Sequence, residues 1–200
     1  MNDRDLVLHG TAIKRHSPPA AIAELTGLDE QRVSAMLGQA VATGRAIEAK
    51  GGYALTPLAH LALEGGYSRH FAECRADPEF VKAYEKFERI NVGLKQLITD
   101  WQTLSIGSNR VANDHSDKAH DDAVINRLGD LNEQVEPVLK TIAIRLPRMA
   151  VYSTKLLAAL EAAEDGDHEW VSDIRRESYH TVWFELHEDL LRIMGREREE

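Results

Sequence analysis

Apolar positions recur every three to four residues over most of the chain, the spacing of one face of an α-helix. A first short helix is expected over residues 5–16. Ser17-Pro18-Pro19 marks its boundary, with Ser17 as a natural N-cap and Pro18 at the first helical position. Ile22 and Leu25 share a face of the helix that follows, and Gly27 stops it. Asp29 is placed to cap a third helix, where Glu30 adds negative charge near the positive end. Val33, Met36, Leu37, Ala40 and Val41 form its apolar stripe, and Gly44 ends it. The period then changes. Residues 46–50 and 53–56 read as two short strands, with Gly51-Gly52 supplying positive φ at both central positions of a tight turn. Thr56-Pro57 begins another helix.

That helix is expected to run over residues 57–76, weakened at Gly65-Gly66, a bend or domain junction. After the break at Asp77-Pro78, helical spacing is kept by Phe80, Val81, Tyr84, Phe87, Ile90 and on to Trp101. Residues 104–118 are polar, carry Gly107, Ser108, Asn109 and Asn113, and read as a loop. Residues 119–145 form a long amphipathic helix with Val124, Leu128, Leu131, Val135, Val138, Leu139 and Ile142 inward and Pro137 as a source of a kink. Pro147 opens a helix carrying Met149, Tyr152, Leu156, Leu157 and Leu160; residues 164–167 are an acidic turn; the last helix is expected over residues 177–194.

Three short helices followed by a two-stranded hairpin within about sixty residues is the pattern of a winged helix. The wording "ELTGLDEQRVSAML" and "GRAIEAKGGYALTPLAHLAL" resembles winged-helix regulators of the MarR-like kind over residues 5–64. The expected fold is therefore mainly α: a winged helix-turn-helix with a two-stranded wing over residues 1–66, then an acidic helical bundle of about four long helices over residues 67–200.

Charge narrows the partners. The chain carries a net charge of −9. Residues 1–66 hold six Lys/Arg against seven Asp/Glu, and the remainder 18 against 26. Nucleic-acid affinity rests on neutralising phosphates with Lys and Arg, so this balance argues against broad nucleic-acid binding. No apolar run is long enough to span a bilayer, and the start lacks the basic and apolar regions of a signal peptide, so no membrane partner and a cytoplasmic location are expected. The single cysteine, Cys74, sits at helical spacing with Phe71 and reads as a buried small hydrophobe rather than a reactive thiol.

Three sets of residues could carry chemistry. On the third helix, Gln31, Arg32, Ser34 and Gln39 would face outward, with Arg45 and Lys50 on the wing; Gln and Arg read base edges from such a helix. Only Arg32 is basic on the helix, and Asp29 and Glu30 precede it, so a protein-contact surface is the competing reading. On the last helix, Tyr179, His180, Trp183 and His187 could offer imidazoles and rings to a cavity; His180 and His187 lie seven apart, and metal ligands on one helix more often sit three or four apart. The competing reading is a packed helix. Around the loop, Asp100, Asn113, Asp114 and His115 could form an acid–base pair or an ion site, or else cap the helix beginning near residue 119, for which Ser116 and Asp117 are good residues. Phosphate-binding glycine loops, the nucleophile elbow, His-Glu-x-x-His and Cys-x-x-Cys are all absent from the sequence.

Over nearly the full chain, "LKQLITDWQ" (94–102), "NDHSD" (113–117), "LPRMAVY" (146–152) and "SYHTVWFELHEDLL" (178–191) resemble a helical module associated with actinobacterial pyruvate phosphate dikinase-like proteins. Such a dikinase works through an ATP-grasp domain, a phosphohistidine carrier loop and a phosphoenolpyruvate-binding barrel. None of these is in the sequence, so the resemblance implies a stand-alone, non-catalytic accessory or regulatory relative and carries over no catalytic residue. The expected partner is a protein or DNA, with a homodimer in the DNA-binding reading. An enzyme or ligand-binding bundle, with His115, His180 and His187 around one cavity, is the third reading.

Overall fold

The computed structural model describes residues 1–106 and 109–197; Gly107 and Ser108, assigned above to a loop, lie outside the described residues. The chain is mainly helical, with two small two-stranded antiparallel sheets. It divides into two units, one built from Met1–Pro78 with the segment from Glu185 onward, the other from Glu79–Phe184. Among the described residues no helix is long and apolar enough to cross a membrane.

In the first unit, α1 (Asp3–Lys14), α2 (Pro19–Thr26) and α3 (Glu30–Ala42) pack around Val7, Ile22, Ala23, Val33 and Leu37. The helix starts follow from local chemistry. Asn2 Oδ1 accepts the Asp5 amide at 2.9 Å, and Asp29 Oδ1 accepts the Arg32 amide at 3.0 Å, each satisfying an orphan donor of the first turn. The expected N-cap at Ser17 is not realised. Pro18 occupies that position, and Ser17 instead exchanges backbone hydrogen bonds with Tyr53, Tyr53 N–H donating at 2.9 Å. α1 and α2 approach closely at Gly10, where a Cβ would lie 2.8 Å from Thr26 Cγ2.

Strands β1 (Ala46–Ala49) and β2 (Gly52–Leu55) pair antiparallel, Ala46 opposite Leu55 and Ala49 opposite Gly52. The central turn residues are therefore Lys50 and Gly51, both at positive φ (49° and 76°), rather than the expected Gly51-Gly52. Gly52 is claimed by a different constraint: His16 covers it so closely that a Cβ there would meet the imidazole at 2.5 Å, while His16 Nε2 contacts the Ala49 carbonyl at 2.9 Å.

α4 (Pro57–His70) is continuous through Gly65-Gly66, read above as a weak point, and buries Ala59, Leu63 and Tyr67 on one face. The break comes at Phe71, before the short α5 (Ala72–Ala76), on which Cys74 is buried as expected. The compact units meet at Pro78, and the first also takes in the segment from Glu185 onward.

In the second unit, α6 (Pro78–Gln102) buries Phe80, Phe87, Leu94, Leu97 and Trp101. The polar stretch that follows was expected to be only loop. It contains a hairpin, β3 (Thr103–Ile106) and β4 (Asn109–Ala112), with Thr103 opposite Ala112. Its described side chains are mostly exposed, so no alternating apolar pattern announced it. α7 (Lys118–Arg145) contains Pro137 and buries all seven of the positions expected to face inward. A 3-10 turn at Pro147–Met149 leads into α8 (Ala150–Glu164), where Leu156 and Leu160 are buried and Leu157 is exposed. A short α9 (Glu169–Ser172), not anticipated, precedes α10 (Tyr179–Met194). The division of the chain falls within α10, between Phe184 and Glu185.

Candidate functional sites

The outer face of α3 presents Gln31, Arg32, Ser34 and Gln39 to solvent, and Arg45 and Lys50 of the hairpin region are also exposed. Arg32, the one cation on that face, is ion-paired with Asp3 of α1. Elsewhere in this unit apolar side chains are left uncovered: Ile47 of β1 is 55% exposed, and Leu58 and Leu61, one turn apart on α4, are 76% and 67% exposed.

In the second unit a polar cluster forms where the β3–β4 hairpin returns to α7. His115 has φ of 59°, a left-handed conformation that a non-glycine residue adopts at a cost. Asn113 helps to impose it, its Oδ1 accepting the His115 amide at 3.0 Å. The turn carries His115 onto Trp101, ring centroids 4.6 Å apart, and puts Nδ1 3.0 Å from Asp121 Oδ2. Asn113 Nδ2 donates to Asp121 Oδ1 at 2.9 Å and to the Trp101 carbonyl at 2.9 Å. His168 closes the group, its ring edge-on to Trp101 and its Nδ1 3.9 Å from Asp121 Oδ2. The Asp121 side chain is only 1% exposed, whereas that of His115 is 40% exposed. A carboxylate only accepts, so Nδ1 carries the proton of the His115–Asp121 hydrogen bond, and Nε2 lies outside that bond. The arrangement can orient an imidazole for proton transfer at Nε2.

The other loop residues divide between capping and bracing. Asp114, the suggested acid–base partner of His115, instead accepts from Ser116, Oγ at 2.7 Å and N–H at 3.1 Å; these bonds hold its carboxyl below the usual range. Asp117 caps α7, accepting the His120 amide at 3.1 Å. Asp100 lies on the neighbouring turn of α6. Burial alone would raise its pKa, but hydrogen bonds from Arg127 (2.9 Å) and Gln96 (2.7 Å), with the charge of Arg127, outweigh burial and hold it low. Asp121 and His168 were not singled out in the sequence. Asp121 lies in the first turn of α7, where a carboxylate reads as dipole compensation, and nothing local marks His168.

The last helix is packed. Tyr179 and Trp183 stack in the core of the second unit, where Trp183 Nε1 donates to Asn91 Oδ1 at 3.0 Å and Tyr179 O–H to Asn132 Oδ1 at 3.2 Å. Trp183 also stacks on Phe87 at 4.9 Å. His180 is half-buried, and His187 is buried. Among the described residues no three His, Cys, Asp or Glu side chains form a group able to hold a metal ion.

A second His–Asp pair, unsuspected from sequence, lies in the first unit. His9 Nε2 is 2.9 Å from Asp189 Oδ1, and His9 Nδ1 is 3.0 Å from Tyr67 Oη; both members of the pair are wholly buried. Burial pushes the Tyr67 phenol up to about 12, against the opposing effect of Arg192. Arg75 caps the end of α10, Nε donating to the Ile193 carbonyl at 2.6 Å and Nη2 to that of Arg192 at 3.2 Å. Lys14 pairs with Glu185 at 2.8 Å. Comparison with known proteins returned no matching family model, no matching curated protein and no matching solved structure.

Proposed function

We propose that this chain is a non-catalytic accessory or regulatory protein of a pyruvate phosphate dikinase-like system, acting in the cytoplasm, and that residues 1–66 are a winged helix used to contact a protein. The order of three helices and a hairpin supports the winged-helix reading. The observation that carries the protein-contact reading is the contrast between the cation-poor α3 face and the exposed apolar side chains elsewhere on the same unit. Its only cation is already neutralised by Asp3, while Ile47, Leu58 and Leu61 stand exposed on the same unit. A DNA-binding face needs free cations for phosphates, and a protein-binding face needs apolar anchors. The test is two titrations of the purified chain. Against a purified phosphoenolpyruvate-utilising dikinase, calorimetry should give saturable binding that Leu58→Asp/Leu61→Asp abolishes. Against a mixed-sequence DNA duplex at low salt, no retention is expected.

The second reading is a dimeric DNA-binding regulator. Gln31, Arg32, Ser34 and Gln39 do share one exposed helix face, with Arg45 and Lys50 exposed on the segment that follows. Retention on DNA that falls steeply with added salt would favour it and defeat the first reading.

A further inference from the structure

The two flanks of α7 differ in charge. On the side of α8, its groove is rimmed by Glu133, Glu136 and Glu164, with no lysine or arginine lining it. On the side of α6, a groove of about 480 Å3 is lined by Lys86, Arg89 and Arg127 with the carboxylate of Asp130, and Asp100 pairs with Arg127 beside it. Residues 79–184 hold 13 Lys/Arg and 18 Asp/Glu, so an excess of cations here reverses the balance of the surrounding unit. Lys86 and Arg89 make no hydrogen bond or ion pair with any other described residue. Arg127 is held in place, its Nη1 donating to Asp100 at 2.9 Å while Gln96 steadies the same carboxylate. Ile90, Leu97 and Leu131 form the floor, and Gly93 leaves space between the helices.

We infer that this groove binds a small molecule with two or more phosphate groups, a phosphate ester or phosphoanhydride, held by Lys86 and Arg89 from α6 and by Arg127 from α7. The volume lies within the range of small-molecule sites, about 300–1,000 Å3. Lys86 and Arg89 supply the free positive charge, and Arg127, whose charge Asp100 offsets, supplies an oriented guanidinium; contributed by two helices, the three suit a ligand with more than one anionic centre. A guanidinium fork matches phosphate oxygens bidentately, and its anchoring by Asp100 removes part of the ordering cost.

The test is calorimetry on the full chain at constant ionic strength, with sodium triphosphate as the probe and citrate as the carboxylate comparison. Triphosphate should bind one-to-one and citrate at least tenfold more weakly. Lys86→Gln/Arg89→Gln should weaken triphosphate at least tenfold, and Arg127→Lys, which keeps the charge and loses the fork, by severalfold. Lys86 and Arg89 are exposed, so the double variant should keep its circular dichroism. Lys140→Gln, at a lysine that pairs with Glu136 outside this groove, also removes one positive charge and should leave binding unchanged. Absence of triphosphate binding, equal binding of citrate, a double variant that binds like the parent, or a loss on Lys140→Gln as large per charge as that of the double variant would each overturn the assignment.

Discussion

Each unit joins a histidine to a buried aspartate, yet the two pairs do different things. His9–Asp189 is closed on both sides, with neither side chain reaching solvent. His115–Asp121 is closed only at the aspartate, and the imidazole edge remains open. The first pair spans 180 positions and ties α1 to the last helix, with Tyr67 of α4 on the other ring nitrogen. The second spans six positions and depends on a left-handed turn. A buried polar pair is costly to break, because the remaining member keeps its desolvation penalty. An exposed imidazole has water as a substitute partner. The same two side chains therefore make a structural tie in one unit and a chemically accessible group in the other.

The largest expected effect is at the closed pair. Asp189→Ala should cost about 3–5 kcal/mol in urea unfolding, since it strands His9 in the core. Asp121→Ala should cost about 1–3 kcal/mol, the range for leaving donors such as the half-buried Asn113 short of a partner. Equal costs at the two sites would erase the distinction. Tyr67 gives the next effect. Its pKa rises from 10.0 to about 12, so its contribution is fully present below pH 10 and is lost as pH climbs through about 12. Two pH units correspond to about 2–3 kcal/mol, and Tyr67→Phe should flatten that part of the alkaline stability profile relative to the parent chain. His115→Ala is expected to change the unfolding free energy by less than about 1 kcal/mol, because water can replace the ring. The smallest perturbation is chemical. Diethyl pyrocarbonate on the native chain should acylate His115, found by mass spectrometry, while His9 stays unmodified until unfolding. Labelling of His9 at the native rate of His115 would show that the closed pair is open in solution.

Much of the local structure was legible because its causes are local. Asp29 and Asp117 cap helices from adjacent positions, and the apolar stripe of α7 is buried at every position expected. Departures occur where a distant group intervenes. The hairpin turn is centred on Lys50-Gly51 with His16 packed over Gly52, and α4 continues through Gly65-Gly66 with Leu63 and Tyr67 buried. At the candidate site, Asn113 and His115 were identified, but Asp114 was paired with His115 in place of Asp121. Adjacency in sequence suggested Asp114; the left-handed turn at His115 directs the ring to the start of α7 instead.

By itself the sequence determined most of the helices, the caps at Asp29 and Asp117, the presence of the first hairpin and the excess of negative charge, all of which depend on residues within a turn or two of one another. The tertiary structure alone decided which histidine faces which carboxylate, which cations remain unpaired, and that the chain's end completes its beginning. Those outcomes depend on burial and on distances between segments up to 180 residues apart, and helical periodicity carries no record of either.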